Sequence, residues 1–136
     1  LAAKENVAPM SQMSFDEHSQ RYLLPLAKAL GLAFAEKRVE GSWGEHSASS
    51  PLARLTLECD RGLYWLSVGS SSQDQLWSID QVSELFPRVR QSRLGHQRLS
   101  LDDQVEFILA HWAEIEMLFS AENAAETNKR LMSVGR

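Results

Sequence analysis

At 136 residues the chain amounts to one domain, long enough to enclose a single hydrophobic core. With 14 basic against 18 acidic residues the net charge is −4, which offers no general attraction to nucleic acid or an anionic membrane. No apolar run approaches the ~20 residues of a membrane helix, and the single Cys59 excludes an internal disulfide or a thiolate metal cluster within one chain.

The opening LAAKENVAPM lacks the apolar stretch of a signal peptide, so a cytoplasmic setting is expected. Residues 1–13 carry no periodicity and read as a flexible arm, with residues 14–133 as one domain. Ser14-Phe15-Asp16-Glu17 matches a capping box. Behind it Phe15, Tyr22, Leu23, Leu26, Ala29 and Leu30 share a helical face, and Gly31 stops the helix. Pro25 lacks an N–H and crowds the Arg21 carbonyl, which predicts a kink. Leu32 to Glu40 reads as a strand with mixed faces, and GSWGEHSASSP, Gly41 to Pro51, as a loop by composition. Trp43 in that loop either folds back as a lid on the core or stands out as a contact residue. The stabilisation that tryptophan burial brings favours the lid.

Arg54 to Gly69 holds two alternating runs around an Asp60-Arg61-Gly62 turn signal, the pattern of an antiparallel hairpin. Pairing Cys59 with Tyr64, Leu57 with Leu66 and Leu55 with Val68 gathers six apolar groups on one face. A slip of one residue would mix the faces, so burial selects this register. Cys59 then reads as a small buried hydrophobe. The other face carries Arg54, Thr56, Glu58 and Asp60 beside Leu63, Trp65, Ser67 and Gly69. Trp65 on that polar face is either covered by the Gly41–Pro51 loop or anchors a partner.

Ser70 to Gln75 is a polar connection, and Leu76 to Ile79 reads as a short strand or the approach to a helix. Ser78 or Asp80 caps a short helix, Gln81 to Phe86, ended by Pro87. The segment RVRQSRLGHQR follows, with Arg88, Arg90, Arg93, His96 and Arg98 and no acidic residue. Ser100, with Asp103 three residues on, opens the last major helix. Its stripe is Leu101, Val105, Ile108, Leu109, Trp112, Ile115 and Phe119, with Asp102, Asp103, Glu106 and Glu114 opposite. Phe107 and Leu118 widen the apolar arc beside His111, enough for two packing partners or for a homodimer face. Ser120 reads as the cap of a further helix, Ala121 to about Met132, with SVGR fraying. This order of elements predicts an α+β fold: a small antiparallel sheet with helices packed on one face, in a single pair of layers. Leu57→Asp or Ile108→Asp should unfold it, while Glu58→Ala should scarcely register.

From Leu99 onward the chain combines an LS-x-x-x-Q opening with an LFS-x-EN-x-x-x-T ending, preceded by Trp77-Ser78-Ile79-Asp80. This carboxy-terminal half resembles small uncharacterised bacterial α+β proteins, similar in size and layout to immunity proteins of toxin systems. The resemblance implies a scaffold and carries over no functional residue.

Enzyme templates find no footing. There is no glycine-rich phosphate loop and no G-x-S-x-G elbow. His18, His46, His96 and His111 sit in four elements without metal-ligand spacing, and His111 with Glu114 reads as a surface ion pair. No catalytic residue, metal or cofactor is therefore expected, and no nucleic-acid or membrane partner. The expected function is a non-enzymatic, immunity-like protein-interaction domain. It would hold a protein partner through an exposed sheet face or the acidic helix, with Trp43, Trp65, Arg54 and Glu58 as candidate contact residues. The alternative is a small-anion or ligand-binding domain using Arg88, Arg90, Arg93, His96 and Arg98.

Overall fold

The computed structural model describes residues 13–87 and 98–134, so the expected arm up to residue 12 lies outside the described residues. Helix α1 (Phe15–His18) begins with the predicted box: the Ser14 hydroxyl accepts from the Glu17 N–H at 3.1 Å, and the Glu17 carboxylate accepts from the Ser14 N–H at 2.9 Å. The kink expected at Pro25 takes the form of a π-helical turn, Ser19–Leu23, ahead of α2 (Leu24–Leu30). In it the Leu24 N–H reaches back to the Ser19 carbonyl. Widening the turn before Pro25 accommodates its missing N–H and bulky ring. Gly31 ends α2 at φ +70°, a left-handed position that suits glycine.

The strand expected over Leu32–Glu40 is two short exposed pieces, β1 (Ala33–Phe34) and β2 (Arg38–Glu40). The loop expected over Gly41–Pro51 is corrected. Only Gly41-Ser42 and the residues from Ser50 turn; Trp43–Ser49 is β3, and it lies inside the sheet between β1 and β2 on one side and β4 (Ala53–Asp60) on the other. Its composition concealed it because the first helix lies directly on it. A Cβ on Gly44 would come within 3.1 Å of the Phe15 ring, and the Ser19 hydroxyl is 2.6 Å from His46 Nδ1. There is no room there for large apolar side chains.

Strand β5 (Leu63–Ser70) pairs with β4 in the register that burial selects, Cys59 with Tyr64, Leu57 with Leu66 and Leu55 with Val68. The turn has positive φ at both Arg61 and Gly62, as a two-residue hairpin requires. A short β6 (Trp77–Ser78) adds to β5, and every pairing in this six-stranded sheet is antiparallel. Ser78, rather than Asp80, caps α3 (Ile79–Ser83). Asp80 instead accepts the Leu99 N–H at 2.8 Å, fixing the chain where it enters the last long helix.

That helix is α4 (Leu101–Leu118), capped by the Ser100 hydroxyl accepting from the Asp103 N–H. Ile108, Trp112, Ile115 and, just beyond the helix, Phe119 are buried with Leu57 and Leu66 in one core. The fold is thus α+β, an antiparallel sheet with helices on one face. Leu109 departs from the expected stripe and is 49% exposed. Phe107 is buried edge-on against Phe86, with ring centroids 5.0 Å apart, so its flank finds a second partner inside the chain. Phe107 is thereby taken up inside the chain, and Leu118 is half-buried against the same core.

Buried Gln104, the last residue of the LS-x-x-x-Q opening, occupies the middle of the apolar arc. Its Oε1 accepts the Leu66 N–H at 2.8 Å and its Nε2 donates to the Leu99 carbonyl at 2.9 Å, which satisfies the β5 edge where β6 does not reach. Helix α5 (Ala124–Val134) starts later than expected and runs further, so Ser133 and Val134 are helical. Ser120 does not cap it: its hydroxyl and the Asn123 amide donate to the Met117 carbonyl, while Thr127 donates to that of Leu118. The quoted motif residues therefore fasten joints between elements. Among the described residues no helix is long and apolar enough to cross a membrane.

Candidate functional site

Side chains alternate along strands, so the register places whole rows of residues on the side away from the helices. Trp43, Asp60 and Leu63 form one row, and Glu45, Glu58 and Trp65 the next. Ser47, Thr56, Ser67 and Ser78 follow, then Ser49, Arg54 and Gly69. The sequence-named set Trp43, Arg54, Glu58 and Trp65 thus shares one face. All four are half-buried, and each is already engaged within the chain.

Trp43 is not a lid on the core, because β3 turns it to the opposite side from Gly44. The Arg38 guanidinium lies over its ring, 5.3 Å from the centroid, and also meets Glu45 at 3.4 Å. Arg54 donates to the carbonyls of Gln73 and Asp74 at 3.1 and 3.2 Å, holding the connection after β5 against the sheet. The Glu58 carboxylate accepts from Trp65 Nε1 at 3.0 Å and from the Ser67 hydroxyl at 2.5 Å. The Ser47 and Thr56 hydroxyls bond to one another at 2.7 Å, and both residues are buried. Since two charge-assisted bonds end on Glu58, Glu58→Ala should lower stability by about 1–2 kcal/mol in urea unfolding, not leave it unchanged.

Leu63 completes this face; the sequence placed it there but did not name it among the contact residues. It is 66% exposed and lies two residues before Trp65, on the same side of β5. Alternation gave its side, and its exposure is what the structure adds. The segment expected to cover Trp65 as a loop is strand β3 instead.

The helix-bearing face ends in a second cluster. The rings of His18 and Tyr64 stack with centroids 3.5 Å apart, and His18 Nδ1 lies 2.9 Å from the Ser14 carbonyl. Burial, with the Cys59 thiol beside it, pushes the Tyr64 hydroxyl up to about 12. Cys59 is buried as expected and donates weakly to the Ser42 carbonyl, with sulfur 3.8 Å away. An open cavity of ≈ 320 Å³ beside them is lined by Phe15, Val39, Cys59 and Tyr64 among others.

Burial lowers the His46 pKa below 6.5, and the Lys37 ammonium adds to this against smaller upward pulls from Asp16 and the Ala35 backbone. The unfolded chain therefore takes up this proton first as pH falls. Stabilisation through His46 is complete above pH 6.5 and is lost as pH drops below it through the folded value. Thermal melts should show Tm falling from about pH 7.5 to about pH 5, with a smaller fall in His46→Gln.

Of the basic segment, Arg98 is described and exposed, while Arg88, Arg90, Arg93 and His96 lie outside the described residues. Beside Pro87, a surface cleft of ≈ 450 Å³ sets Lys129 and Arg130 against Glu84 and Glu126, a mixed rather than cationic lining. His111 Nδ1 meets Glu114 at 3.1 Å, and its ring packs on Phe86 and Phe107. Among the described residues no three His, Cys, Asp or Glu side chains are grouped to hold a metal ion. Comparison with protein-family models, curated proteins and solved structures finds no match to this chain.

Proposed function

We propose that this chain is a non-enzymatic protein-interaction domain of the bacterial immunity-protein type, holding a protein partner on its helix-free sheet face. The observation that carries the reading is the placement of exposed Leu63 beside Trp65 and Trp43 on that face. Large apolar and aromatic groups rimmed by Arg38, Glu45 and Glu58 have the make-up of a binding hot spot with a polar surround. Trp65 is held by Glu58, so little side-chain freedom remains to be lost on docking. A cytoplasmic setting belongs to the same reading.

The test compares capture from bacterial lysate by the wild type and by Leu63→Ser/Trp65→Ala, each checked for an unchanged fold by circular dichroism. A protein retained by the wild type and by Arg98→Ala, but lost from the double variant, is the expected result. Equal retention by the double variant would overturn the reading.

A further inference from the structure

We propose that the chain forms a two-fold dimer by antiparallel pairing of β2 with the β2 of a second copy. Among the described residues β2 is the outer strand on its side of the sheet, pairs with β3 alone, and is exposed at all three residues. It is joined to β3 by the two-residue turn Gly41-Ser42, with Glu40 opposite Trp43 and Arg38 opposite Glu45. Residues flanking such a turn exchange both backbone bonds, and the pattern alternates along the strand. Arg38 and Glu40 therefore spend theirs on β3, while the N–H and C=O of Val39 point outward. An antiparallel pair centred on Val39 joins those groups to their own copies.

The same register brings Arg38, which also meets Glu45 of its own chain, opposite Glu40 of the second copy, and Glu40 opposite its Arg38. The strand is charge-complementary to itself, and cross-strand pairs of this kind favour one register. Charged residues on a short edge ordinarily discourage such pairing. Here Lys37, the nearest candidate guard, is drawn back into an ion pair with Asp16 of α1. Val39 is 54% exposed and lines the cavity beside Phe15, so the second copy's Val39 would cover apolar surface at its mouth. The helices do not obstruct this. The start of α1 lies over β3, where Phe15 rests on Gly44. Three strand spacings separate the two β3 strands, about 14 Å, against a helix diameter of about 10 Å.

The inference does not rest on the docking face proposed above, and sedimentation equilibrium of the whole chain tests it. The paired area is small, so association is weak and is read at high protein concentration. The weight-average mass should climb from 15.3 kDa toward twice that value as concentration rises. Val39→Pro removes the outward N–H without touching a bond to β3 and should weaken association about tenfold or more. Glu40→Arg should weaken it through like charges, and Arg38→Glu/Glu40→Arg should restore it. Melting temperatures are read alongside, and if Val39→Pro fails to fold, the charge-swap pair decides. A mass that stays at 15.3 kDa throughout overturns the proposal. So does a folded Val39→Pro that associates like the wild type, or a double variant no better than Glu40→Arg alone.

Discussion

Leu57→Asp and Ile108→Asp should each abolish the cooperative unfolding transition. Both native side chains are fully buried in the same core. Replacing either one forfeits about 1.5–3 kcal/mol of apolar burial. It also places a carboxylate where no cation waits, at a further several kcal/mol. Together these approach the roughly 5–15 kcal/mol that holds a domain folded. Leu57→Ala, which leaves only a cavity, should instead unfold cooperatively with about 2–5 kcal/mol less stability. A sharp thermal transition retained by either aspartate variant would mean that strand and helix do not face each other.

Gly69→Ala is expected to be nearly as damaging, although it adds one methyl group. A Cβ there would lie 2.1 Å from the Gln75 carbonyl oxygen, and the obstacle is backbone rather than a movable side chain. The connection that carries Gln75 is tied down along its length. Arg54 donates to the carbonyls of Gln73 and Asp74, the Ser71 hydroxyl donates to that of Pro51, and Asn128 on α5 donates to the Gln73 side chain. Moving it aside breaks several of these bonds at once. The expected loss is about 3 kcal/mol or more in urea unfolding, the upper end for overpacking. A midpoint close to wild type would show that the connection yields freely.

Local rules carried much of the fold. The hairpin register follows from strict alternation with apolar groups on one side, because only one pairing buries them together. The capping box at Ser14 and the stop at Gly31 are matters of backbone chemistry within a few residues, and both read correctly. The failures involve contacts distant in sequence. Strand β3 looked like a loop because Gly44 and His46 are fitted to Phe15 and Ser19, residues that only the folded sheet brings near. Gln104 closed the LS-x-x-x-Q opening, but its role was not legible there, since its partner, the Leu66 N–H, exists only at a sheet edge that β6 leaves open. Leu109 lies next to Ile108 on the helix but beyond the arc that meets the sheet.

The candidate face was partly legible for the same reason. Alternation put Trp65, Glu58 and Arg54 on one side of the hairpin. Trp43 joined them only once β3 was a strand. Composition could not show that Arg54 is occupied with backbone carbonyls, nor that Glu58 serves both Trp65 and Ser67.

Hydroxyl-radical footprinting of the free chain and of the chain with its captured protein partner tests the docking face most directly. Leu63 should label strongly in the free chain and, with Trp65, lose label in the complex, while Leu109 and Met117 on the outer side of α4 keep theirs. Unchanged labelling of Leu63 and Trp65, with Leu109 and Met117 protected, would contradict the account and move the contact to the acidic helix.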